Sequence, residues 1–163
     1  MINTKKALYT DYLTQNPKLW KRWFDVQRPY KINLQRLGLG FTLDVGCGIG
    51  RNLQHLKALK SPAIGIDHNP HSINIASNQG FEVYLTTDFD RQYKHKESVF
   101  NSLLFSHVLE HMTATNAQTL ITKYLHLLKP EGKVVLIAPQ EKGFSSDPSH
   151  IEFLDFGALK EIL

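Results

Sequence analysis

The chain has one cysteine, Cys47, among 163 residues, which excludes an intramolecular disulfide framework and fits a reducing compartment. It lacks any apolar run near the roughly 20 residues that a membrane-spanning helix needs. Met1 to Asp11 carries polar and charged residues where a secretory leader would place an apolar stretch. A cytoplasmic protein with no membrane partner is therefore expected. Internal repeats and low-complexity tracts are also missing, which leaves no sign of a repeat architecture. Charge is modest: the net value is +4, and the Lys and Arg residues are spread along the chain. That pattern describes a mildly basic surface and does not single out nucleic acid as a partner. What is present is an ordinary globular composition, 42% hydrophobic and 21% charged, in a length that suits one domain with a core of its own.

Two regions follow from the pattern of residues. Residues 1–40 read as an N-terminal helical cap segment. Asn16-Pro17 is a cap and first-turn pair, and Leu19, Trp20, Trp23, Phe24 and Val26 form an irregular helical stripe. Pro29 opens a second helix through Leu37, which Gly38 and Gly40 end. Residues 41–163 alternate strands and helices. Strands are expected at Phe41 to Val45, Ala63 to Ile66, Phe81 to Leu85, Val99 to Phe105 and Lys133 to Ala138. Helices are expected at Asn52 to Lys60, from Asn69-Pro70 to Gly80, at Asn116 to Leu128, and from Phe156 onward with Asp155 as cap. Lys129 to Gly132 reads as a turn. Five strands alternating with helices predict a doubly wound parallel α/β sheet, whose ligands lie beyond the carboxyl ends of the strands.

The chemistry-bearing residues follow those strand ends. Leu43 to Gly50 is a strand, a glycine-rich turn and a helix start. Gly46 and Gly48 let the backbone approach a ligand, and the helix beginning near Arg51 points free amide groups at the same space. The spacing is G-x-G-x-G, unlike the G-x-G-x-x-G of dinucleotide dehydrogenases. Asp44, just before the first glycine, would repel a pyrophosphate and attract an ammonium group. S-adenosylmethionine has an ammonium and a sulfonium and no phosphate. Asp67 ends the second strand, where an acid can accept from both ribose hydroxyls. Asp88, with Phe89 beside it, follows the third strand and can accept an adenine amino group. As simpler readings, Asp67 and Asp88 would be loop, cap or turn residues.

Residues 41–138 resemble a class I S-adenosylmethionine-dependent methyltransferase of the kind that acts on small molecules. The likeness rests on Leu43 to Gly50, on Gly65-Ile66-Asp67, on Thr87-Asp88-Phe89, on Phe100 to Met112 and on Leu127 to Ala138. It implies a Rossmann-like fold with helices on both faces of the sheet and a cofactor site drawn from Asp44, Gly46, Cys47, Gly48, Gly50, Arg51, Asp67, His68, Asp88, Phe89 and Ser106. Methyl transfer would go to an oxygen or nitrogen of a small-molecule acceptor. Two departures stand out. Asn101 occupies a position where the family usually has Asp. The family sheet has seven strands, and the last two are missing here, so the sequence is expected to be a shortened or incomplete form of the family's chain. The alternative is a partner or second copy covering the open fifth-strand edge.

His107, at the fourth strand's carboxyl end, is the candidate base, since imidazole titrates near neutrality; its plainer reading is pocket lining. His150 is a second, weaker candidate, in a segment resembling one that overhangs the acceptor site. His111 is expected to be structural. His107-Val108-Leu109-Glu110-His111 is also a literal H-x-x-E-H, the inverted zinc-protease pattern. Zinc catalysis would need these residues on one helix with a further ligand downstream. They follow a strand instead, and the resemblance accounts for Val108 to His111, so no metal is expected. RNA or protein as the acceptor is an alternative, against which stands Ser106-His107-Val108-Leu109 where amine-methylating nucleic-acid enzymes carry an Asn/Asp-Pro-Pro-aromatic motif. A non-catalytic S-adenosylmethionine-binding protein is the other. Trp20, Trp23, Tyr30 and Phe144 could line an apolar acceptor site or belong to the core.

Overall fold

The computed structural model describes residues 28–145 and 147–162. The Asn16-Pro17 pair and the aromatic stripe that includes Trp20 and Trp23 lie outside them. Helix α1, Arg28–Leu37, opens as expected near Pro29 and ends where Gly38 takes a φ of 57°. Strand β1, Thr42–Val45, is buried along its whole length. Helix α2, Arg51–Ala58, begins directly after Gly50. Strand β2 is Ala63–Asp67 and helix α3 is Pro70–Asn78. Asn69 caps α3, its side-chain oxygen accepting from the amides of His71 at 3.0 Å and Ser72 at 3.4 Å. This arrangement is what an Asn followed by a first-turn proline favours.

After the short strand β3, Val83–Leu85, the chain enters a helix not expected from the sequence pattern: α4, Thr86–Tyr93. Its only two apolar side chains of consequence, Phe89 and Tyr93, sit four residues apart and stack at 4.1 Å. Two contacts in eight residues are too few to show a period in sequence. Strand β4, Phe100–Ser106, leads through a 3-10 turn, Leu109–His111, to helix α5, Ala114–Leu125. Strand β5, Leu128–Ile137, then absorbs the expected turn. Phe100 pairs with Leu128 and Ser102 with Lys133, so the intervening Lys129 to Gly132 bulges out opposite a single residue, Asn101, with Glu131 at a φ of 63°. A short helix α6, Glu141–Phe144, and a last helix α7, Phe156–Ile162, complete the described chain. Asp155 caps α7 as expected, accepting from the Ala158 amide at 2.8 Å.

The five strands form one parallel sheet in the order β3-β2-β1-β4-β5. Among the described residues beyond β5 there is no further strand, and β5 is an outer strand. Alternation along β4 divides the core between the two faces. Leu103 and Phe105 join a large cluster with Phe89, Ile121, Tyr124 and Leu154, whereas Leu104 joins Leu34, Leu39 and Leu56. Val134 and Leu136 of β5 pack on the first cluster, and Val135 and Ile137 on the second. Helices therefore cover both faces, and the carboxyl ends of β1, β2 and β4 are left to carry the site.

Candidate active site

The site begins with a carboxyl group placed where it is poorly solvated. Asp44 lies in the central strand at 0% exposure. Burial pushes its pKa up to about 7; a hydrogen bond from Asn52 acts against this, and the charge of Asp67 adds to it. Asn52 Nδ2 donates to Oδ1 at 3.1 Å, while Oδ2 is buried with no hydrogen-bond partner among the described residues. An orphaned carboxylate oxygen is costly in a low-dielectric interior, and a ligand ammonium would supply the missing donor.

The chain of hydrogen bonds continues outward. Tyr30 Oη donates to Asn52 Oδ1 at 2.5 Å and lies 3.3 Å from Ser106 Oγ. Burial raises the Tyr30 phenol to about 12, so it stays protonated and able to donate. The network joins α1, α2, β1 and β4. The sequence does not single out Asn52, and from sequence Tyr30 reads only as apolar lining or core. One amide two positions beyond Gly50 carries no signal of its own until the fold brings it against Asp44.

The glycine loop hangs on β2: the amides of Gly46 and Cys47 donate to the Ile66 carbonyl at 2.8 and 3.0 Å. Gly46 has a φ of 78°, and a Cβ there would meet Val108 Cγ2 at 2.8 Å. Gly48 has a φ of 53°, and a Cβ there would meet nothing within 4 Å among the described residues, so the loop turns an open face outward at this position. Cys47 is buried against Gly65 and Leu53. Burial, with Asp44 and Asp67 adding to it, pushes its thiol well up, so it packs as a small apolar side chain and is no nucleophile. Arg51 is exposed in the first turn of α2.

Asp67 accepts from the Gly48 amide at 2.9 Å on Oδ2 and from the Asn69 amide at 2.8 Å on Oδ1. Each carboxylate oxygen keeps a second lone pair for further donors. His68 stands beside it, Nδ1 at 3.4 Å from Oδ1. Asp88 lies in the first turn of α4, half exposed and paired with Arg91 at 2.5 Å. Phe89 turns away from that surface: its ring is fully buried, stacked on Tyr93 and edge-on to Tyr124. The side chain expected to pack near adenine is thus a core residue, because α4 directs position 89 inward while Asp88 remains outside.

At the end of β4, Ser106 is buried and His107 adopts a φ of 55°, uncommon for a residue with a Cβ. Its side chain is 59% exposed, with Nδ1 3.2 Å from Oε1 of Glu110, which is 1% exposed. Val108 packs on Gly46, so this segment flanks the glycine loop directly. The five residues of the H-x-x-E-H pattern do not form one helix, since only Leu109–His111 is helical and His107 is left-handed. His111 Nδ1 contacts the Ser149 carbonyl at 3.2 Å, 38 residues away, and His150 Nδ1 contacts the Phe144 carbonyl at 2.8 Å. Phe144 stacks on the His150 ring with a centroid separation of 5.1 Å. Glu110 was present in the sequence pattern but was passed over as part of it.

A family model for the methyltransferase domain matches residues 43–136, more than half of the chain. The chain belongs to this family. Its fold is that of the class I S-adenosylmethionine-dependent methyltransferases, and several solved structures align with it. One from Archaeoglobus fulgidus superposes with a TM-score of 0.69 at 23% identity, over 88% of this chain and 70% of its own. A Pyrococcus horikoshii protein gives 0.60 at 18%, over 74% and 58%. A sugar N-methyltransferase from Streptoalloteichus gives 0.57 at 19%, over 82% and 54%. The chain thus spans between 54% and 70% of the length of these structures. No curated protein matches the sequence. The residues present fit S-adenosylmethionine: the orphaned Asp44 oxygen suits its ammonium, and the open face at Gly48 adjoins Asp67, to which the Gly48 amide donates.

Proposed function

We propose that this chain transfers a methyl group from S-adenosylmethionine to an oxygen or nitrogen atom of a small-molecule acceptor. The observation that carries the reading is Asp44, a fully buried carboxyl with one unsatisfied oxygen on the central strand, just before the glycine loop, within the span matched by the methyltransferase domain. When bound, S-adenosylmethionine supplies an electrophilic methyl group, and its in-line displacement needs no covalent enzyme intermediate. The protein's work is then to hold and to deprotonate. Tyr30 and Asn52 fix Asp44 so that it meets the ammonium without rearranging. Asp67 is fixed by two backbone amides and offers its remaining lone pairs to ribose hydroxyls. Asp88, exposed on α4, is left as the acid for the adenine amino group.

With Nδ1 turned to Glu110, His107 presents Nε2 outward. It can take a proton from the acceptor there, and the buried Glu110 carboxylate stabilises the resulting imidazolium. His150, across from His111 at 5.0 Å between ring centroids, closes the same side. A small acceptor is favoured by the unclustered basic residues, by the absence of a base-recognition motif after β4, and by the sugar acceptor named for one structural neighbour. RNA or protein acceptors, or cofactor binding without turnover, would be the alternative outcomes. Residues 28–40, the described part of the helical cap segment, are read as bordering the acceptor side, consistent with Tyr30 lying 3.3 Å from Ser106. The outer edge of β5 is the place where a second copy could pair. Among the described residues no helix is long and apolar enough to cross a membrane, and a cytoplasmic setting is part of the proposal.

Thermal unfolding with S-adenosylhomocysteine, and with NADH as control, tests the reading. A ligand at about 100 times its dissociation constant adds roughly 2.7 kcal/mol, enough to raise the midpoint by several degrees. A shift with S-adenosylhomocysteine alone supports the proposal, and no shift rejects it.

A further inference from the structure

We propose that Glu110, His111 and His150 form a binding site for a divalent transition-metal ion beside the acceptor. One ligand atom from each of the three lies within 4.8 Å of the others. Metal–nitrogen and metal–oxygen bonds of about 2.1 Å place tetrahedral donors roughly 3.4 Å apart, so closure needs side-chain adjustment on the order of 1 Å.

Closeness alone would describe a hydrogen-bonded cluster, and two further features go beyond it. Both imidazoles are turned the same way. Nδ1 of His111 meets the Ser149 carbonyl, and Nδ1 of His150 meets the Phe144 carbonyl. A carbonyl can only accept, and Ser149 Oγ, also 3.2 Å from His111 Nδ1, gives its hydrogen to Asp147 Oδ1, so in the neutral rings each Nδ1 carries the hydrogen and each Nε2 is left with its lone pair. This is the second-shell arrangement that fixes metal-binding histidines. The carboxylate is also short of a partner. Glu110 is 1% exposed; Oε1 faces His107, and Oε2 is buried without a hydrogen-bond partner among the described residues. A buried carboxylate oxygen left unpaired is unfavourable, and a cation beside it removes the penalty.

Two nitrogens and a carboxylate select zinc, cobalt, iron(II) or manganese over magnesium and calcium, which prefer all-oxygen shells. Three protein ligands leave coordination positions open, as catalytic rather than structural sites do. The third ligand comes from the segment after β5, which the sequence pattern around His107 could not indicate. One consequence for the reaction rests on the methyl-transfer reading: an acceptor hydroxyl bound to the ion would lose its proton to His107. Its oxygen would then form the new bond to the methyl carbon as the carbon–sulfur bond breaks, with S-adenosylhomocysteine leaving.

The test is cobalt(II) and zinc(II) titration of chelator-treated full chain, followed by calorimetry and by visible absorption of the cobalt form, with no methyl acceptor present. One equivalent should bind, and His150→Ala and His111→Ala should each weaken binding at least tenfold. His150→Ala lies outside the sheet, and an unchanged unfolding midpoint in the metal-free protein shows that it folds. Absence of binding to the native chain, or binding that His150→Ala leaves unchanged, overturns the site. S-adenosylhomocysteine stabilisation measured on the same samples reports separately on the cofactor reading, so either can fail while the other stands.

Discussion

Asp44 has a stability cost that the protein accepts at its central strand. Its carboxyl titrates near 3.8 when unfolded and at about 7 when folded. Between those values the folded form holds a proton that the unfolded form releases. Stability is therefore highest below pH 4 as far as this group is concerned and falls as pH rises to 7, by roughly 4 kcal/mol for three units. Asp44→Asn should remove this dependence. Urea unfolding at pH 5 and pH 8 should show the variant gaining on the native chain at the higher pH, while its affinity for S-adenosylhomocysteine drops at least tenfold. A native chain with equal stability at both pH values would refute the buried acid. Tyr30→Phe breaks the outer links to Asn52 and Ser106. A loss of about 1–2 kcal/mol is expected by urea unfolding, with cofactor affinity falling because Asn52 no longer holds Asp44 in place.

At the scale of elements, α4 decides which of two neighbouring residues reaches the surface. Asp88 pairs with Arg91 on the outside, and Phe89 fills the cluster between α4, α5 and the sheet. Phe89→Ala should cost about 3–5 kcal/mol in unfolding, whereas Asp88→Ala should change stability by less than about 1 kcal/mol and act on cofactor affinity. Equal effects of the two on stability would contradict this division. The elements legible in sequence were those with a repeated apolar period or strong punctuation: β1 before its glycines, α3 behind Asn69-Pro70, and α7 behind Asp155. The unread helix α4 has two apolar contacts in mostly polar surroundings. The misplaced start of β5 came from Lys129 to Gly132, whose turn-forming residues make a bulge within a strand. The position of the acids at or just after strand ends was legible because each follows a short apolar run. Asn52, Glu110 and the polar role of Tyr30 were not, because each depends on a partner far away in the chain.

For the whole molecule, the site draws on both faces of the sheet. Tyr30 comes from the smaller core cluster, and the turn carrying Glu110 packs on the larger one through Leu109. His107→Gln keeps a polar side chain but removes the base. It should lower kcat by ten- to a hundredfold for an acceptor that enters protonated, and leave the S-adenosylhomocysteine shift unchanged, as initial rates and thermal unfolding would show. An undiminished rate at every pH would remove His107 from the chemistry and assign it to the pocket wall.

The strand order also sets a sequence of events during folding. β1 meets β2 and β2 meets β3 through short local crossovers, whereas β1 meets β4 only when distant parts of the chain come together, as the contact between Phe41 and Asn101 across 60 residues shows. Loop closure on that scale slows pairing, so residues 41 to 85 should gain structure first. That early half carries Asp44, the glycine loop and Asp67. His107, Glu110, His111 and His150 arrive with the later half. A nascent chain of this design would assemble the side proposed to bind the nucleoside before the groups proposed to face the acceptor, and pulse-labelling hydrogen exchange during refolding should register protection of β1 and β2 ahead of β5.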